Sequence, residues 1–337
     1  MGPVVLKFGG TSLNSASARQ AAIRHIADAK NRGNRVAVIV SAMGRRGEPY
    51  ATDTLLALLE TIDSRIDARK KDLLLSCGEI ISAVLISHML ESIGIASVPL
   101  SGFQAGIITD GKYTDATIID VKTEPIIRCL EEDKVAVIAG FQGYSRNLEI
   151  TTLGRGGSDI SAIVIGGYIG ADTIDIFTDV PGVAVTDPRI IPESPFIKLL
   201  SREHMYRLSK HGAKVVHPRA VKAAIDFKTP FRVRSTFSQD PGTLIDSETH
   251  CLSDRGLIGI ASEDGMNLIS LVFSKSEARE MEEEVCTLLS DKGVVPLGIF
   301  YEPYTLLLAL NQEDKQKAVR IIYDGFFCNY KRVNTAG

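Results

Sequence analysis

The chain opens with a short apolar run, Val4 to Phe8, broken only by Lys7, that ends in Gly9-Gly10-Thr11-Ser12. Behind it Ala18, Ala22, Ile26 and Ala29 recur at the spacing of one helix face, so a strand, a glycine turn and a helix are predicted in that order. Arg35 to Val40 is a second run rich in Val and Ile, closing at Ser41. It does not alternate with polar residues, which suits a strand covered on both faces, as in a parallel sheet. Helical stretches follow at 54–65 and 70–93. Further buried strands are predicted at Val135–Ala139, which ends in a turn bearing Gly140 and Gly143, and at Ile174–Thr178. Between them the loop Thr151–Asp159 carries three glycines and leads into an Ala/Ile-rich helix. Strands alternating with helices predict a three-layer α/β/α domain with a mainly parallel central sheet. Its glycine- and hydroxyl-rich turns fall at the C-terminal ends of the strands, where ligands gather in open α/β sheets.

A boundary is expected near 238–251, where Gln239-Asp240-Pro241-Gly242-Thr243 gives way to polar residues. The chain is therefore divided into a domain over 1–245 and a smaller one over 246–337. For the latter the pattern predicts a strand at 267–273, a helix at 276–290, strands at 294–301 and 305–310, a helix at 313–323 and a last short strand at 328–333. That order reads as a small α+β sandwich of the split βαβ kind.

Composition narrows the function more than the fold. A formal charge of −3, with 38 basic and 41 acidic residues interspersed, gives no basic stripe for nucleic acid or an anionic membrane. No uninterrupted apolar run approaches the roughly 20 residues needed to cross a bilayer, and no export signal opens the sequence. The expected location is cytoplasmic. Cys77, Cys129, Cys251, Cys286 and Cys328 are scattered and form no ligand pair, so reduced, buried thiols are expected. The histidines do not cluster either, and no metal site built from protein ligands is predicted. His217, before Pro218, and His211 are read as structural.

Three segments can carry chemistry. In Lys7-Phe8-Gly9-Gly10-Thr11-Ser12, glycines after a strand let backbone N–H groups approach an anion, a helix N-terminus adds positive potential, and Lys7 can reach the same phosphates. The spacing is neither a P-loop nor a dinucleotide fingerprint. By itself the segment is equally a tight strand–helix turn with an exposed lysine. Thr151–Asp159 packs three glycines, Arg155 and Asp159 ahead of a helix; Arg155 can grip a carboxylate through two parallel hydrogen bonds, and Asp159 suits an N-cap or an organiser of nearby lysines. The third, Ile176–Val183 with Asp187-Pro188-Arg189, could frame a nucleotide base through backbone groups or be a surface turn fixed by Pro and Gly.

Together and in this order, the segments resemble the aspartate kinases of the amino-acid kinase superfamily. The likeness spans most of 3–245: K-F-G-G-T-S from Lys7, V-S-A-M-G from Val40, T-D at Thr52, C-G-E from Cys77, G-F-Q-G from Gly140, T-T-L-G-R-G-G-S-D from Thr151, T-D-V from Thr178, D-P-R from Asp187, G-A-K-V-V-H-P from Gly212 and D-P-G-T from Asp240. The resemblance implies an enzyme that phosphorylates the β-carboxylate of L-aspartate with ATP, its Mg²⁺ held mainly by the phosphates, at the entry to aspartate-family amino-acid biosynthesis. It assigns Lys7 to the transferring phosphate, Gly9 and Gly10 to the phosphate chain, and Asp159 to orienting the lysine. Ser41, Thr52, Glu79, Arg155, Gly156, Gly157 and Ser158 are implied at aspartate, Glu79 facing its ammonium and Arg155 its α-carboxylate. Phe177, Thr178, Val183, Asp187, Pro188 and Lys214 are implied at the nucleotide. Ala184-Val185-Thr186 departs from the commoner hydroxyl- or tyrosine-bearing triplet there, which leaves backbone contacts. The acceptor carboxyl, with a reference pKa of about 3.9, is already ionised at neutral pH, so no general base is needed.

Such kinases usually carry two ACT-type modules after the catalytic domain, whereas 246–337 has room for one. The expectation is a single ACT-like domain serving homodimerisation, with feedback by lysine or threonine weakened; covering an apolar face of the kinase domain is the plainer alternative. A non-catalytic subunit that binds nucleotide or amino acid, and a kinase of another carboxylate amino acid, are the competing functions. The reading requires the two glycine turns to converge, so that Lys7 and Arg155 share one cleft.

Overall fold

The computed structural model describes residues 2–263, 265–275 and 278–334, and for 328–334 the backbone alone. Contacts divide the chain into two compact units, one of 1–181 with 222–241 and one of 182–221 with 242–337. This division by compactness returns 182–221 to the C-terminal unit and so does not follow a single cut near 245.

In chain order the first unit contains β1 (Pro3–Phe8), α1 (Ala16–Asn31), β2 (Arg35–Val40), α2 (Thr52–Glu60), α3 (Ala68–Glu91), β3 (Ser97–Leu100), β4 (Ile107–Thr109), β5 (Ile118–Val121), α4 (Glu124–Glu131), β6 (Val135–Ala139), β7 (Gln142–Ser145), β8 (Ile150–Thr152), α5 (Gly157–Tyr168) and β9 (Thr173–Thr178). The second contains β10 (Leu199–Ser201) and α6 (Arg202–Lys210). The helix α7 (Pro218–Phe227) leads back to β11 (Phe231–Ser235) of the first unit. The remainder of the second unit is β12 (Thr243–Asp246), β13 (Leu257–Ser262), β14 (Leu268–Phe273), α8 (Glu282–Ser290), β15 (Gly298–Glu302), β16 (Thr305–Ala309) and α9 (Lys315–Asn334).

Six strands of the first unit form a parallel sheet in the order β11-β9-β1-β2-β6-β3. Strand periodicity sorts its side chains. Val4, Leu6 and Phe8, with Val36, Val38 and Val40 and with Val135, Val137 and Ala139, point to one face and build a core with Ala22, Ile23 and Ile26 of α1 and Ala83, Ile86 and Leu90 of α3. The intervening residues, Lys7 among them, point to the face on which α5 packs. A second, four-stranded sheet, β5-β4-β7-β8, is built from strands of three or four residues, too short for the hydrophobic pattern to announce.

α3 is long and apolar enough to cross a bilayer by length and composition. Its buried residues nevertheless include Asp72, Ser76, Glu79 and Ser82, and half of the apolar window is covered within the structure, so it serves as a core helix. The helix predicted on Ala18, Ala22, Ile26 and Ala29 is α1; a 3-10 turn, Gly10–Ser12, precedes it, and it starts at Ala16 with Ser15 Oγ accepting from the Ala18 N–H.

The second unit pairs β10 with β12 in parallel and carries an antiparallel sheet, β13-β14-β16-β15. Two expectations for this region are corrected. β13 precedes the first predicted strand, its apolar run being interrupted by Gly259, where a Cβ would lie 2.8 Å from the Val185 carbonyl oxygen. The strand expected at 328–333 is helix: α9 runs to Asn334 with a kink at Phe327, and ahead of that kink Ala318, Val319, Ile322, Tyr323 and Phe326 bury a ridge of helical period. The predicted helix at 276–290 is found as α8, with Ser276 and Glu277 outside the described residues. Among the cysteines only Cys129 is buried; Cys77, Cys251 and Cys286 are free and half-buried rather than fully enclosed, and the side chain of Cys328 is not described. His217 caps α7 by accepting from the Arg219 N–H at 3.3 Å, and His211 bonds Glu302 at 3.2 Å.

Candidate active site

At the C-terminal ends of β1, β2 and β8 the first unit encloses a cleft of about 550 Å³. Lys7 reaches it from β1 because the strand alternation that buries Phe8 against α1 and α3 turns Lys7 toward α5. Its Nζ lies 2.6 Å from Asp159 Oδ1, an ion pair whose angles are not those of a hydrogen bond. Both side chains are nearly buried, at 11% and 12% exposure, so the attraction is little screened.

The glycine turn after β1 abuts the turn after β2. A Cβ on Gly10 would stand 2.8 Å from the Ala42 carbonyl oxygen and 2.9 Å from that of Gly44, so this approach requires glycine. The same turn after β2 brings in Ser41 and orients the Ala42 N–H, which donates to Glu79 Oε1 at 2.9 Å. Glu79 comes from the middle of α3 and is 2% exposed. Its other oxygen, Oε2, is buried without a partner. Burial pushes the Glu79 carboxyl up to about 8, against which the Ala42 N–H works only partly. Thr52, the first residue of α2, stands in the wall beside Asp53.

Opposite these lies the loop that opens α5. Gly154 and Gly156 have φ of 71° and 73°, a left-handed backbone that directs the loop into the cleft. No side chain caps α5; the Gly157 N–H donates to the Gly154 carbonyl oxygen at 3.0 Å, and the Ser158 N–H that follows is left for an anion. The start of α5 thus faces the cleft, as does that of α2, whereas the capped start of α1, predicted for this role, does not line it. Arg155 lines the cleft, is exposed, and has no side-chain partner among the described residues.

Lys7, Gly10, Ser41, Thr52, Glu79 and the whole of Arg155–Asp159 thus meet in one place, and Gly9 adjoins them, its N–H 3.4 Å from the Phe177 carbonyl oxygen. The residues implied at the nucleotide are placed differently. The Phe177 ring is in the core, stacked on Phe8 at 4.7 Å and against His25 at 4.4 Å. The Thr178 carbonyl accepts from the Thr236 N–H at 2.9 Å. Val183, Asp187, Pro188 and Lys214 belong to the second unit. There the Val183 N–H donates to Thr243 Oγ1 at 2.8 Å and Asp187 is held by Arg189 at 2.6 Å.

Several cleft residues carry no site role in the sequence reading: Asp53, Phe141 and Thr152, which lie inside the strings that carry the resemblance, and Lys71 and Thr114, which lie outside them. Thr114 and Phe141 both have φ of 66°, unusual for residues with a Cβ, which no linear pattern announces. Asp53 was adjacent to a residue already singled out. The others come from an inward helix face and from loops brought in by the small sheet.

The cleft juxtaposes paired and unpaired cations, free helix N–H groups and a buried carboxyl, a set that can hold two anions close together and recognise an ammonium. Comparison with known proteins agrees. The amino acid kinase family model matches residues 2–235. Aspartokinase 1 of Bacillus subtilis is 39% identical over 326 residues, covering 95% of this chain and 80% of the relative; aspartokinase 2 of the same organism is 36% identical, covering 94% and 79%. Among solved structures, aspartate kinase from Synechocystis superposes with a TM-score of 0.65 at 27% identity, over 96% of this chain and 69% of that one. Clostridium acetobutylicum aspartate kinase gives 0.73 at 22% identity, over 97% and 100%, a likeness of fold. On its family match, its relatives and the residues gathered in its cleft, the chain belongs to the amino acid kinase family.

Proposed function

We propose that this protein transfers the γ-phosphoryl group of ATP to the β-carboxylate of L-aspartate, giving 4-phospho-L-aspartate and ADP. A carboxylate oxygen of aspartate forms the new bond to phosphorus while the bond from phosphorus to the β,γ-bridging oxygen breaks, and the electron pair leaves with ADP. No proton moves at the acceptor, in keeping with a cleft whose charged groups are two lysines, an arginine and three carboxyls. The obstacle is repulsion between two anions. Lys7 offsets it at the transferring phosphoryl, Gly9 and Gly10 allow the phosphate chain to approach the backbone, and Asp159 keeps the Lys7 ammonium in line. Arg155 takes the α-carboxylate, the start of α5, through the Ser158 N–H beside Gly156 and Gly157, takes the reacting one, and Glu79 takes the ammonium, with Ser41 and Thr52 completing the acceptor wall.

For the nucleotide, Phe177, Thr178, Val183, Asp187, Pro188 and Lys214 are proposed on the resemblance, contributing mainly backbone. Among the described residues no three His, Cys, Asp or Glu side chains come together as a metal site. Mg²⁺ would therefore be carried in on the phosphates, where it neutralises charge developing on the leaving group. We also assign residues 1–245 to catalysis and 246–337 to a single ACT-like regulatory or dimerisation domain of a cytoplasmic homodimer.

The observation that carries the reading is the meeting of Lys7, Arg155 and the orphaned Glu79 in one cleft. Hydroxylamine trapping of the acyl phosphate, run with ATP and aspartate, glutamate or acetylglutamate, tests it: hydroxamate should form with aspartate and far less with the others. Preference for another acid, or no hydroxamate with any, would overturn it.

A further inference from the structure

Asp72 lies two turns before Glu79 on α3 and is completely buried, yet nothing in the catalytic assignment uses it. Its carboxyl accepts three hydrogen bonds. Oδ2 takes the backbone N–H groups of Thr114 and Thr152, both at 2.8 Å, and Oδ1 takes the Thr152 hydroxyl at 2.7 Å. Thr114 and Thr152 line the cleft, and so do Lys71 and Leu75, which flank Asp72 on α3, Leu75 lying on the way to Glu79. One side chain thus ties three separate walls: the helix that carries Glu79, the β4–β5 connection at Thr114, and the end of β8, two residues before the loop of Arg155.

The tie is demanding. Thr114 has a φ of 66°, a conformation a threonine adopts only when its surroundings over-determine it, and the Asp72 carboxyl is the acceptor of its N–H. The Thr152 carbonyl in turn accepts from the Ala116 N–H at 2.9 Å, which closes the β4–β5 connection onto the same β8 residue. Without Asp72 the buried Thr152 N–H and the half-buried Thr114 N–H would lose their acceptor, and the Thr152 wall could regain a partner only by shifting.

We propose that Asp72 is a positioning residue of the acceptor side, setting the spacing between Glu79 and Arg155 through Thr114 and Thr152. This rests on the assignment of those two residues to the amino-acid substrate. Asp72 touches neither reacting atom, so its effect belongs to acceptor binding and leaves ATP binding alone. Asparagine keeps one oxygen for both N–H donors, with the Thr152 hydroxyl turned to accept; alanine keeps nothing.

The test compares Asp72→Asn, Asp72→Ala and Thr152→Val in steady-state kinetics, with amide hydrogen exchange of residues 110–117 and 150–156. Asp72→Ala should raise the aspartate KM about tenfold or more while the ATP KM changes less than about twofold, and exchange should speed in those two segments only. Asp72→Asn should restore most of the aspartate KM. Thr152→Val, which removes one hydrogen bond and strands no backbone donor, should fall between wild type and Asp72→Ala. Equal rises in both KM values, or faster exchange throughout the unit, would reduce Asp72 to a stability residue and overturn the proposal. Should Asp72→Ala not fold, the Asp72→Asn and Thr152→Val enzymes decide by the same split. Failure of the wild-type enzyme to phosphorylate aspartate would instead sink the function, a separate outcome.

Discussion

The loop Gly154–Ser158 and the turn from Gly182 to Arg189 are both short, polar and punctuated by glycine or proline, yet they treat their polar groups in opposite ways. In the second, Asp187 is clasped by Arg189, the Thr186 N–H donates to Ser194 Oγ at 3.0 Å and the Val183 N–H to Thr243 Oγ1. In the first, Arg155 has no side-chain partner among the described residues and α5 begins without a side-chain cap, while across the cleft Glu79 Oε2 is buried alone. A buried polar group without a partner costs about 1–3 kcal/mol, so it persists where something else completes it. The contrast separates a turn that is finished by the protein from a cleft that is finished by its ligands.

The largest effect expected from breaking that contrast is at Lys7. Lys7→Ala should lower kcat by about 10²–10³ or more while aspartate and ATP still bind and the protein stays folded. Near-normal aspartate-dependent ADP release from that variant would remove Lys7 from the mechanism. Next comes Arg155→Ala, which should raise the aspartate KM by about ten- to a hundredfold with the thermal midpoint unchanged, because the guanidinium supports nothing in the protein. An unchanged KM would disprove its pairing with the substrate.

Glu79 sharpens the comparison through pH. Its folded carboxyl titrates near 8 against a reference of 4.5, raised by burial, so the native state binds more protons than the unfolded chain between those values. Its contribution to stability is therefore full below about 4.5 and is lost as pH rises through about 8. An incoming ammonium favours the ionised form, so binding aspartate releases a proton below pH 8, and affinity should climb between pH 6 and 8 by up to about tenfold per unit. Calorimetry in buffers of different ionisation heat should register that release, and Glu79→Gln should abolish both it and the slope. A wild-type affinity flat across that range would contradict the assignment.

The smallest effect is expected in the finished turn. Asp187→Asn loosens a pair with Arg189 that is 69% exposed on the arginine side, worth less than about 1 kcal/mol, and should change the ATP KM by no more than about threefold. A loss comparable to that at Lys7 would show that its carboxylate, and not only its backbone, serves the nucleotide.

Much of the fold was legible because β1, β2, β6 and β9 are buried on both faces and read as largely apolar runs, with Lys7 and Asp175 the charged exceptions in β1 and β9. The site was legible where chemistry and glycine coincide, at Lys7–Gly10 and Gly154–Asp159. What stayed hidden is long-range. Asp72 meets its partners 42 and 80 residues away, and Phe177 gave no sign that its ring would enter the core between Phe8 and His25. The small sheet that delivers Thr114 and Thr152 is made of strands too short to show a period. In α9, the strand expected at 328–333 is helix beyond a kink at Phe327, and the buried ridge from Ala318 to Phe326 sets the helix ahead of it.

The central claim is that the two glycine turns hold donor and acceptor side by side. A crystal structure with aspartate and a non-hydrolysable ATP analogue tests it most directly. The account predicts Lys7 Nζ on the γ-phosphate, Arg155 on the α-carboxylate and Glu79 Oε2 on the ammonium, with the β-carboxylate in line with the γ-phosphorus. Aspartate bound away from Arg155 and Glu79, or a γ-phosphate out of reach of Lys7, would contradict it.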